Sequence, residues 1–254
     1  MEIDNGETGS LRGLTINDRD VHIWRASLKQ SSSIVRELRQ VLSRDEVTRA
    51  ARFHFAHDRE AFIVARGILR WLLAGYVHAE PHQLTFWYES LGKPHLSDKF
   101  ADQVHFNVSH SRDLVLFAIG HQPKIGIDIE HIHPIPDMEQ IAARNFSPRE
   151  NAQLQSLPPH MTLEGFFTCW TRKEAYVKAI GTGVSYPLQD FDVSLIPDQP
   201  AKLLSMAGSE AEAACWSMFD LKPSSEYAAA VVIEGTGYSI VYREWTHPRS
   251  ATTI

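Results

Sequence analysis

Two acidic residues alternate with isoleucines in the segment 125–130, whose sequence is IGIDIE. In a β-strand, successive side chains point to opposite faces, so the isoleucines would share one face and Asp128 and Glu130 the other. Two carboxylates this close repel each other unless they share a cation, and a hard, oxygen-seeking ion such as magnesium suits them. An exposed edge strand with two solvated acids would show the same pattern, so the pair alone leaves both interpretations open.

A third carboxylate and a lysine lie on a predicted helix further along the chain. Glu174 and Lys178 are four residues apart, which places them on the same helix face. An isolated pair of this kind usually forms a surface ion pair that contributes about 0.3–0.5 kcal/mol. The alternative is that Glu174 joins Asp128 and Glu130 as a third ligand of the same cation.

Several basic or hydroxyl side chains could bind phosphate, although the sequence contains no glycine-rich phosphate-binding loop. Such groups supply the positive charge and the hydrogen-bond donors that phosphate oxygens need. A turn lysine or an exposed histidine is usually only solvated, so the prediction depends on the combination. The candidates are Arg49, Lys93, Ser109 and His110.

Helices and hairpins must position these residues in the first part of the chain. Ser43 and Glu46 have the spacing of a capping box and predict the start of one helix. Apolar residues at helical spacing predict a second helix over 58–76. The polar segment 109–113 is predicted to be a hairpin loop that displays its side chains at one end of a sheet. Alternating residues predict strands over 84–88, 104–108 and 114–119.

The second part of the chain again mixes strands and helices. A strand over 125–130 precedes predicted helices over 137–145, from Ser147, and over 163–180, the last ending at Gly181. We therefore predict an α+β fold with mostly antiparallel sheets. Further strands are predicted over 191–195, 216–221, 228–233 and 238–243.

Composition limits the class of protein. With 43% hydrophobic and 22% charged residues, the 254-residue chain is expected to fold as a globular protein. No segment resembles a signal peptide or a membrane span, so we expect a cytoplasmic protein. A net charge of −6 argues against broad nucleic-acid binding. The two cysteines, Cys169 and Cys215, are expected to be buried free thiols.

Four segments share their order and spacing with a known family. They are GKP at 92–94, FNVSHS at 106–111, GIDIE at 126–130 and WTRKEAYVK at 170–178. Together they resemble the motifs of Sfp-type 4'-phosphopantetheinyl transferases, and the similarity spans about residues 49–233. Four motifs in register are far harder to obtain by chance than any one of them.

The resemblance implies a fold, a reaction and partners. The fold is a monomer of two similar halves with pseudo-twofold symmetry, residues 1–122 and 123–254, each a small sheet packed with helices, and coenzyme A in the cleft between them. The reaction transfers the 4'-phosphopantetheine arm of coenzyme A to a serine of an apo acyl or peptidyl carrier protein. It requires magnesium and releases adenosine 3',5'-bisphosphate. The carriers could serve peptide, polyketide or fatty-acid synthesis, and the sequence does not choose among them.

The resemblance also assigns roles to individual residues. Asp128, Glu130 and Glu174 would hold magnesium against the pyrophosphate. Glu174 is the candidate base, directly or through water, and Lys178 would approach the transferred phosphate and stabilise or protonate the leaving group. Arg49 would meet the ribose phosphate. The other expected coenzyme A contacts are Lys93, Ser109, His110 and Lys173.

Two positions depart from the family pattern. A basic residue often found upstream of Arg49 is Glu46 here, and a small hydroxyl residue in the second helix is Phe62. Arg44 and Arg66 are candidates to replace the missing positive charge.

Two other functional classes share features with this sequence. One is a non-catalytic module of the same fold that binds coenzyme A or a carrier protein, and the presence of all three carboxylates argues against it. The other is a histidine-based metal hydrolase, but no glutamate signature places the histidine pairs of this sequence in a known metal-binding motif. Its candidate ligands are His54, His57, His131 and His133.

Overall fold

The protein has an α+β architecture in which two main sheets pack face to face and carry helices on their outer faces. A computed structural model describes residues 11, 13–183 and 186–247. The α-helices described are α1 Ser32–Gln40, α2 Arg44–Ala51, α3 Ala56–Tyr76, α4 Met138–Asn145, α5 Pro148–Ser156, α6 Pro159–Ile180 and α7 Glu210–Ala213. The strands described are β1 Asp20–Ser27, β2 Phe86–Tyr88, β3 Pro94–Leu96, β4 His105–Ser111, β5 Leu114–Gly120, β6 Ile125–His131, β7 Phe191–Val193, β8 Leu203–Met206, β9 Trp216–Leu221, β10 Tyr227–Glu234 and β11 Ser239–Glu244.

The first sheet has the strand order β11-β1-β5-β4. Its pairs are antiparallel except β1 with β11, which are parallel. Helix α3 covers one face of this sheet through a core that includes Leu69, Leu72 and Phe117. The other three strands of this sheet all lie before residue 121, so β11 joins strands that are far from it in the chain.

The second sheet, β6-β10-β9, is antiparallel. Helix α6 packs on one face through residues such as Ala175, Ala230 and Val232. The other face meets the first sheet in a core that contains Val21, Ile23 and the three isoleucines of β6. Both faces of β6 are therefore buried, one between the sheets and one beneath α6.

Contact between β6 and α6 depends on a glycine. A Cβ atom at Gly126 would lie 2.1 Å from the backbone oxygen of Ala175 and 2.3 Å from the backbone nitrogen of Ala179. Only glycine allows the two backbones to approach this closely. This approach sets the distance between the acidic residues of β6 and the charged face of α6.

Most predicted elements are confirmed. The capping boxes at Ser43 and Ser147 start α2 and α5, and α6 ends at Gly181 in the left-handed conformation with φ 74°. The prediction of a loop over 109–113 is wrong in part, since β4 extends through Ser111 and the turn is Arg112–Asp113. No element was predicted for β1, α1, β3, β8 or α7.

Two further findings concern the predictions for the cysteines and for membrane spans. Cys169 is buried as expected, but Cys215 is exposed, so the prediction of two buried thiols is wrong for the second. In the described part of the chain, no helix is both long and apolar enough to cross a membrane.

Candidate active site

Asp128 and Glu130 project from β6 toward α6. The alternation predicted for this strand is confirmed, because Ile125, Ile127 and Ile129 enter the core between the sheets. β6 is an edge strand of its sheet, yet Asp128 is only 3% exposed. The interpretation of two solvated acids on an open edge is therefore wrong.

Strand β4 covers the edge of β6 through a row of alternate side chains. Asn107 Oδ1 accepts from the backbone N–H of Ile127 at 3.0 Å. Ser109 Oγ donates to Asp128 Oδ1 at 2.9 Å, and Ser111 Oγ donates to Glu130 Oε2 at 2.9 Å. Each of the three side chains thus fixes a different position of β6, which holds the two carboxylates in place.

Lys178 reaches the same carboxylate from α6. Its ammonium donates to Asp128 Oδ1 at 2.6 Å and to Ser109 Oγ at 2.9 Å. The lysine side chain is 31% exposed, whereas that of Asp128 is 5% exposed. Lys178 is therefore part of a polar cluster that joins β4, β6 and α6, and its ion pair with Asp128 replaces the surface pair with Glu174 that the spacing allowed.

Charge repulsion is concentrated at this cluster. Burial, and then the charge of Asp128, raise the pKa of Glu130. The pKa of Glu174 is also raised, by burial and by the neighbouring carboxylates Asp128 and Glu130. The three acids are thus electrostatic neighbours, and a bound cation would relieve the repulsion between them.

The donor set fits a hard cation. Asp128 Oδ2 is buried and has no hydrogen-bond partner, and a buried unpaired carboxylate oxygen is costly. Carboxylate oxygens are the ligands that magnesium prefers. Within the residues described, however, no three His, Cys, Asp or Glu side chains already converge in metal-ligand geometry. The site therefore has suitable ligand atoms, which would have to draw together around an ion.

Lys93 approaches the cluster from the hairpin β2–β3. Its ammonium donates to the backbone oxygens of Lys178 at 2.6 Å and Ile125 at 3.3 Å. Burial lowers the pKa of Lys93 to about 8. This lysine connects the hairpin to the C-terminal end of α6, next to Lys178.

Arg49 and His110 line a cavity of about 310 Å³, and burial and then the charge of Lys178 lower the pKa of His110. The walls of the cavity come from α2, α3, the β2–β3 hairpin and β4. The guanidinium carbon of Arg49 lies 5.4 Å from the ring centroid of Phe62. The cavity is thus lined by cations and aromatic rings. A larger cavity of about 570 Å³, beside the N-terminal part of α6, is lined by none of the predicted site residues.

The side chain of Lys173 faces neither the acidic cluster nor the cavity of Arg49 and His110. It is fully buried, and its ammonium donates to the backbone oxygens of Leu188 and Phe191, each at 2.6 Å. The same ammonium pairs with Glu150 Oε2 at 2.8 Å. Because these bonds occupy the ammonium inside the C-terminal core, the expected coenzyme A contact of Lys173 is corrected to a structural role.

The histidines of the alternative hydrolase serve other contacts. His131 packs edge-on against Tyr227 at 5.1 Å between ring centroids, and His133 Nδ1 lies 2.7 Å from the backbone oxygen of His131. His57 faces Asp58 at 3.0 Å. His54 packs edge-on against Phe55 at 4.8 Å between ring centroids.

Two functional positions were missed from the sequence. Asn107 and Ser111 were not assigned to the site, although they lie in a predicted strand or loop next to Ser109, whereas Arg66 was named as a candidate and lines the cavity of Arg49. The period of two in the segment 107–111 was the available signal, because it places these side chains on the same side of β4 as Ser109.

Two family models match consecutive parts of the chain. Residues 23–122 match "4'-phosphopantetheinyl transferase, N-terminal", and residues 124–232 match "4'-phosphopantetheinyl transferase superfamily". Together these matches include every residue of the acidic cluster and of the cavity that holds Arg49.

Curated relatives carry the same name. The 4'-phosphopantetheinyl transferase HetI of Nostoc sp. is 43% identical over 226 residues, which cover 89% of this chain and 92% of the relative. The 4'-phosphopantetheinyl transferase Sfp of Bacillus subtilis is 31% identical and covers 62% of this chain and 68% of its own length. The mouse L-aminoadipate-semialdehyde dehydrogenase-phosphopantetheinyl transferase is 30% identical, with 59% of this chain and 52% of the relative covered.

Proposed function

The chain belongs to the 4'-phosphopantetheinyl transferase superfamily, and we propose that it catalyses phosphopantetheine transfer with a magnesium ion held by Asp128, Glu130 and Glu174. It is an enzyme that moves the phosphopantetheine arm of coenzyme A to a carrier protein, and its relatives are named 4'-phosphopantetheinyl transferases. The non-catalytic alternative is accordingly set aside. The observation that supports the metal is the buried, unpartnered Oδ2 of Asp128 beside two acids whose pKa values are raised.

The reaction requires charge to be neutralised at a pyrophosphate. A bound magnesium ion would supply this by drawing negative charge from the phosphate oxygens. The serine oxygen of the carrier forms a bond to the β-phosphorus, the bridging P–O bond breaks, and adenosine 3',5'-bisphosphate leaves with the bonding electrons. The serine proton must pass to a base at the same time.

Glu174 is the proposed base, directly or through a water molecule. Burial raises its pKa, whereas a cation bound to the same carboxylate would lower it, so a Glu174 that also holds the metal would take the proton through water. Lys178, held by Asp128 and Ser109, would stabilise or protonate the leaving phosphate. Lys93 would provide a second positive charge at the C-terminal end of α6.

The adenosine end of coenzyme A is proposed to lie in the cavity of Arg49 and His110. Both residues line it, and a cation together with an imidazole suits the ribose phosphate. Coenzyme A would then extend from this cavity, past Ser109, to the acidic cluster between the two halves. We also propose that the division at residues 1–122 and 123–254 marks the two walls of this cleft.

We further propose a monomeric, cytoplasmic enzyme whose partners are apo acyl or peptidyl carrier proteins. All the proposed site residues come from one chain, so no second copy is needed to complete the site.

Intact-mass measurement of carrier proteins tests the proposal. A panel of apo carriers is incubated with the enzyme, coenzyme A and magnesium, in parallel with a chelator. We expect one phosphopantetheine arm on a carrier serine with magnesium and none with the chelator. Equal transfer in both samples would refute the role of the metal, and modification at another residue would refute the serine.

A further inference from the structure

We infer that Lys178 is a stand-in cation for the acidic cluster of Asp128, Glu130 and Glu174. Before the metal binds, its ammonium neutralises Asp128 and opposes metal binding there, and a pyrophosphate group releases this opposition by drawing the ammonium away. The inference rests on the proposed function and concerns the control of the same site.

The carboxylate of Asp128 is engaged through one oxygen. Its Oδ1 accepts from Lys178 Nζ at 2.6 Å and from Ser109 Oγ at 2.9 Å, and Ser109 Oγ in turn accepts from Lys178 at 2.9 Å. Its Oδ2 is buried and has no hydrogen-bond partner. Because the side chain of Asp128 is only 5% exposed, water does little to stabilise its charge, and Lys178 supplies the counter-charge.

The same ammonium acts on the other two acids of the cluster. Burial raises the pKa values of Glu130 and Glu174, and the charge of Lys178 partly offsets this rise in both. When all are ionised, three carboxylates and one ammonium leave an excess of two negative charges. A divalent cation would neutralise this excess, but it would enter a cluster that already contains a positive charge.

A metal ion and the ammonium would share one carboxylate. Two cations on the same group repel each other, and each reduces the negative charge that the other experiences. An opposite charge within about 4–6 Å changes the proton affinity of a carboxyl group by about 1–3 pKa units. The same electric field weakens the affinity of Asp128 for a metal ion. Lys178 therefore lowers metal affinity for as long as its ammonium stays at Asp128.

Lys178 is able to move its ammonium without moving α6. Its backbone is fixed near the end of the helix, where its carbonyl oxygen accepts from Lys93 Nζ at 2.6 Å and Gly181 forms the cap. Its side chain is 31% exposed, and the stem of a lysine is long and flexible. A change of rotamer is therefore enough to take the ammonium off Asp128.

The position of Lys178 gives that movement a direction. The charge of Lys178 is felt by His110, which lines the cavity proposed for the adenosine end of coenzyme A. Lys178 thus lies between this cavity and the acidic cluster, along the proposed path of the pyrophosphate. The phosphate charges would attract the ammonium away from Asp128. Coenzyme A should then raise the affinity for the metal, and the metal should raise the affinity for coenzyme A by the same factor.

Manganese binding to the enzyme without coenzyme A tests the inference, with free Mn²⁺ measured by electron paramagnetic resonance. We expect Lys178→Met to bind Mn²⁺ at least about tenfold more tightly than the native enzyme, because the opposing charge is gone. Lys178→Arg keeps that charge and should bind like the native enzyme. Lys124→Met is the control, since it removes an exposed lysine that pairs with Glu234, and its affinity should not change.

A second titration measures the coupling to coenzyme A. Saturating coenzyme A should tighten Mn²⁺ binding by a larger factor in the native enzyme than in Lys178→Met, because only the native enzyme has an ammonium to release. Pantetheine, which has no pyrophosphate, should leave the native affinity for Mn²⁺ unchanged. Equal coupling factors in the two enzymes would mean that the pyrophosphate does not act through Lys178.

The outcomes separate this inference from the proposed function. Equal Mn²⁺ affinity of the native enzyme and Lys178→Met, including no binding by either, would overturn the inference, as would weaker binding by the variant. If circular dichroism shows that Lys178→Met does not fold, Lys178→Gln takes its place. Native Mn²⁺ affinity in Asp128→Asn would count against the proposed metal site. Loss of binding in Asp128→Asn with no gain in Lys178→Met would count against the inference alone.

Discussion

At the scale of single residues, the buried carboxylates of β6 and α6 control the candidate site. We predict that Asp128→Asn and Glu174→Gln each lower the rate of transfer by at least about 10²-fold while the protein stays folded, because each removes a charge from the proposed metal and proton-transfer site. Rates are measured by intact mass of the carrier, and folding by circular dichroism.

Glu164→Gln is the matched control for the second variant. Glu164 lies on the same helix but is exposed, so the same substitution should leave the rate nearly unchanged. If Glu174→Gln retains the native rate, neither the metal role nor the base role of this residue stands.

Lys93 provides a pH-dependent prediction. Its pKa of about 8 lies below the ordinary lysine value, so in the free enzyme the ammonium loses its proton as the pH rises through 8. A phosphate contact needs the charged form, and the affinity for coenzyme A should fall by up to about tenfold per pH unit above that value.

Calorimetry from pH 7 to pH 9 checks this dependence. Lys93→Met should bind more weakly at pH 7 and lack the decline that begins near pH 8. Lys124→Met, which removes an exposed lysine paired with Glu234, should keep it. A native affinity that stays constant across the range would show that Lys93 does not contact phosphate.

The charged residues of the site could be predicted from the sequence, but the residues that orient them could not. Alternation alone placed Asp128 and Glu130 on one face, because the strand period is fixed. Asn107 and Ser111 could not be assigned from their neighbours, since their side chains act through bonds to β6, a strand of the other sheet. The expected contact of Lys173 was misplaced because a helix motif gives sequence order and not which side chain enters the core.

At the scale of elements, the approach of β6 to α6 positions the site. We predict that Gly126→Ala destabilises the protein by about 1–3 kcal/mol, because the added methyl group would overlap backbone atoms of α6 at 2.1 and 2.3 Å. The strain would also move Asp128 away from Lys178 and weaken transfer. Denaturant unfolding and the transfer rate measure the two effects.

Gly120→Ala is the control for this substitution. Gly120 is also buried at a strand position, but its added Cβ would meet its nearest neighbour, Val21 Cγ2, at 3.5 Å, an ordinary contact. The Gly120→Ala variant should therefore fold normally and keep native activity. If both variants behave alike, the close approach of β6 to α6 is not what limits this position.

The ends of helices could be predicted where neighbouring residues satisfy the hydrogen bonds of the terminal backbone groups. The capping boxes of α2 and α5 and the glycine after α6 are signals of this kind. The end of β4 was not predicted, because Ser109 and Ser111 are typical of loops; they pair with Leu116 and Leu114 of β5, and their side chains also bond to β6, a partner further along the chain. Tertiary contacts of this kind leave no local pattern.

At the scale of the whole molecule, elements before and after the proposed division at residue 122 share a core and a sheet. The isoleucines of β6 pack against Val21 and Ile23 of β1, and β11 pairs with β1 along residues 239–244. Elements from both halves would therefore be lost together on unfolding. The proposed coenzyme A site, which uses β4 on one side and α6 on the other, should stabilise both halves equally.

Hydrogen exchange with and without coenzyme A tests this coupling. The buried amides of Ala118 in β5 and Val231 in β10 represent the two halves, and the slowest-exchanging amides report global opening. At a coenzyme A concentration 100 times its dissociation constant, both should gain about 2.7 kcal/mol of protection. Pantetheine without phosphates should give no such gain. Protection confined to one sheet would mean that the halves open independently and that the ligand binds only one of them.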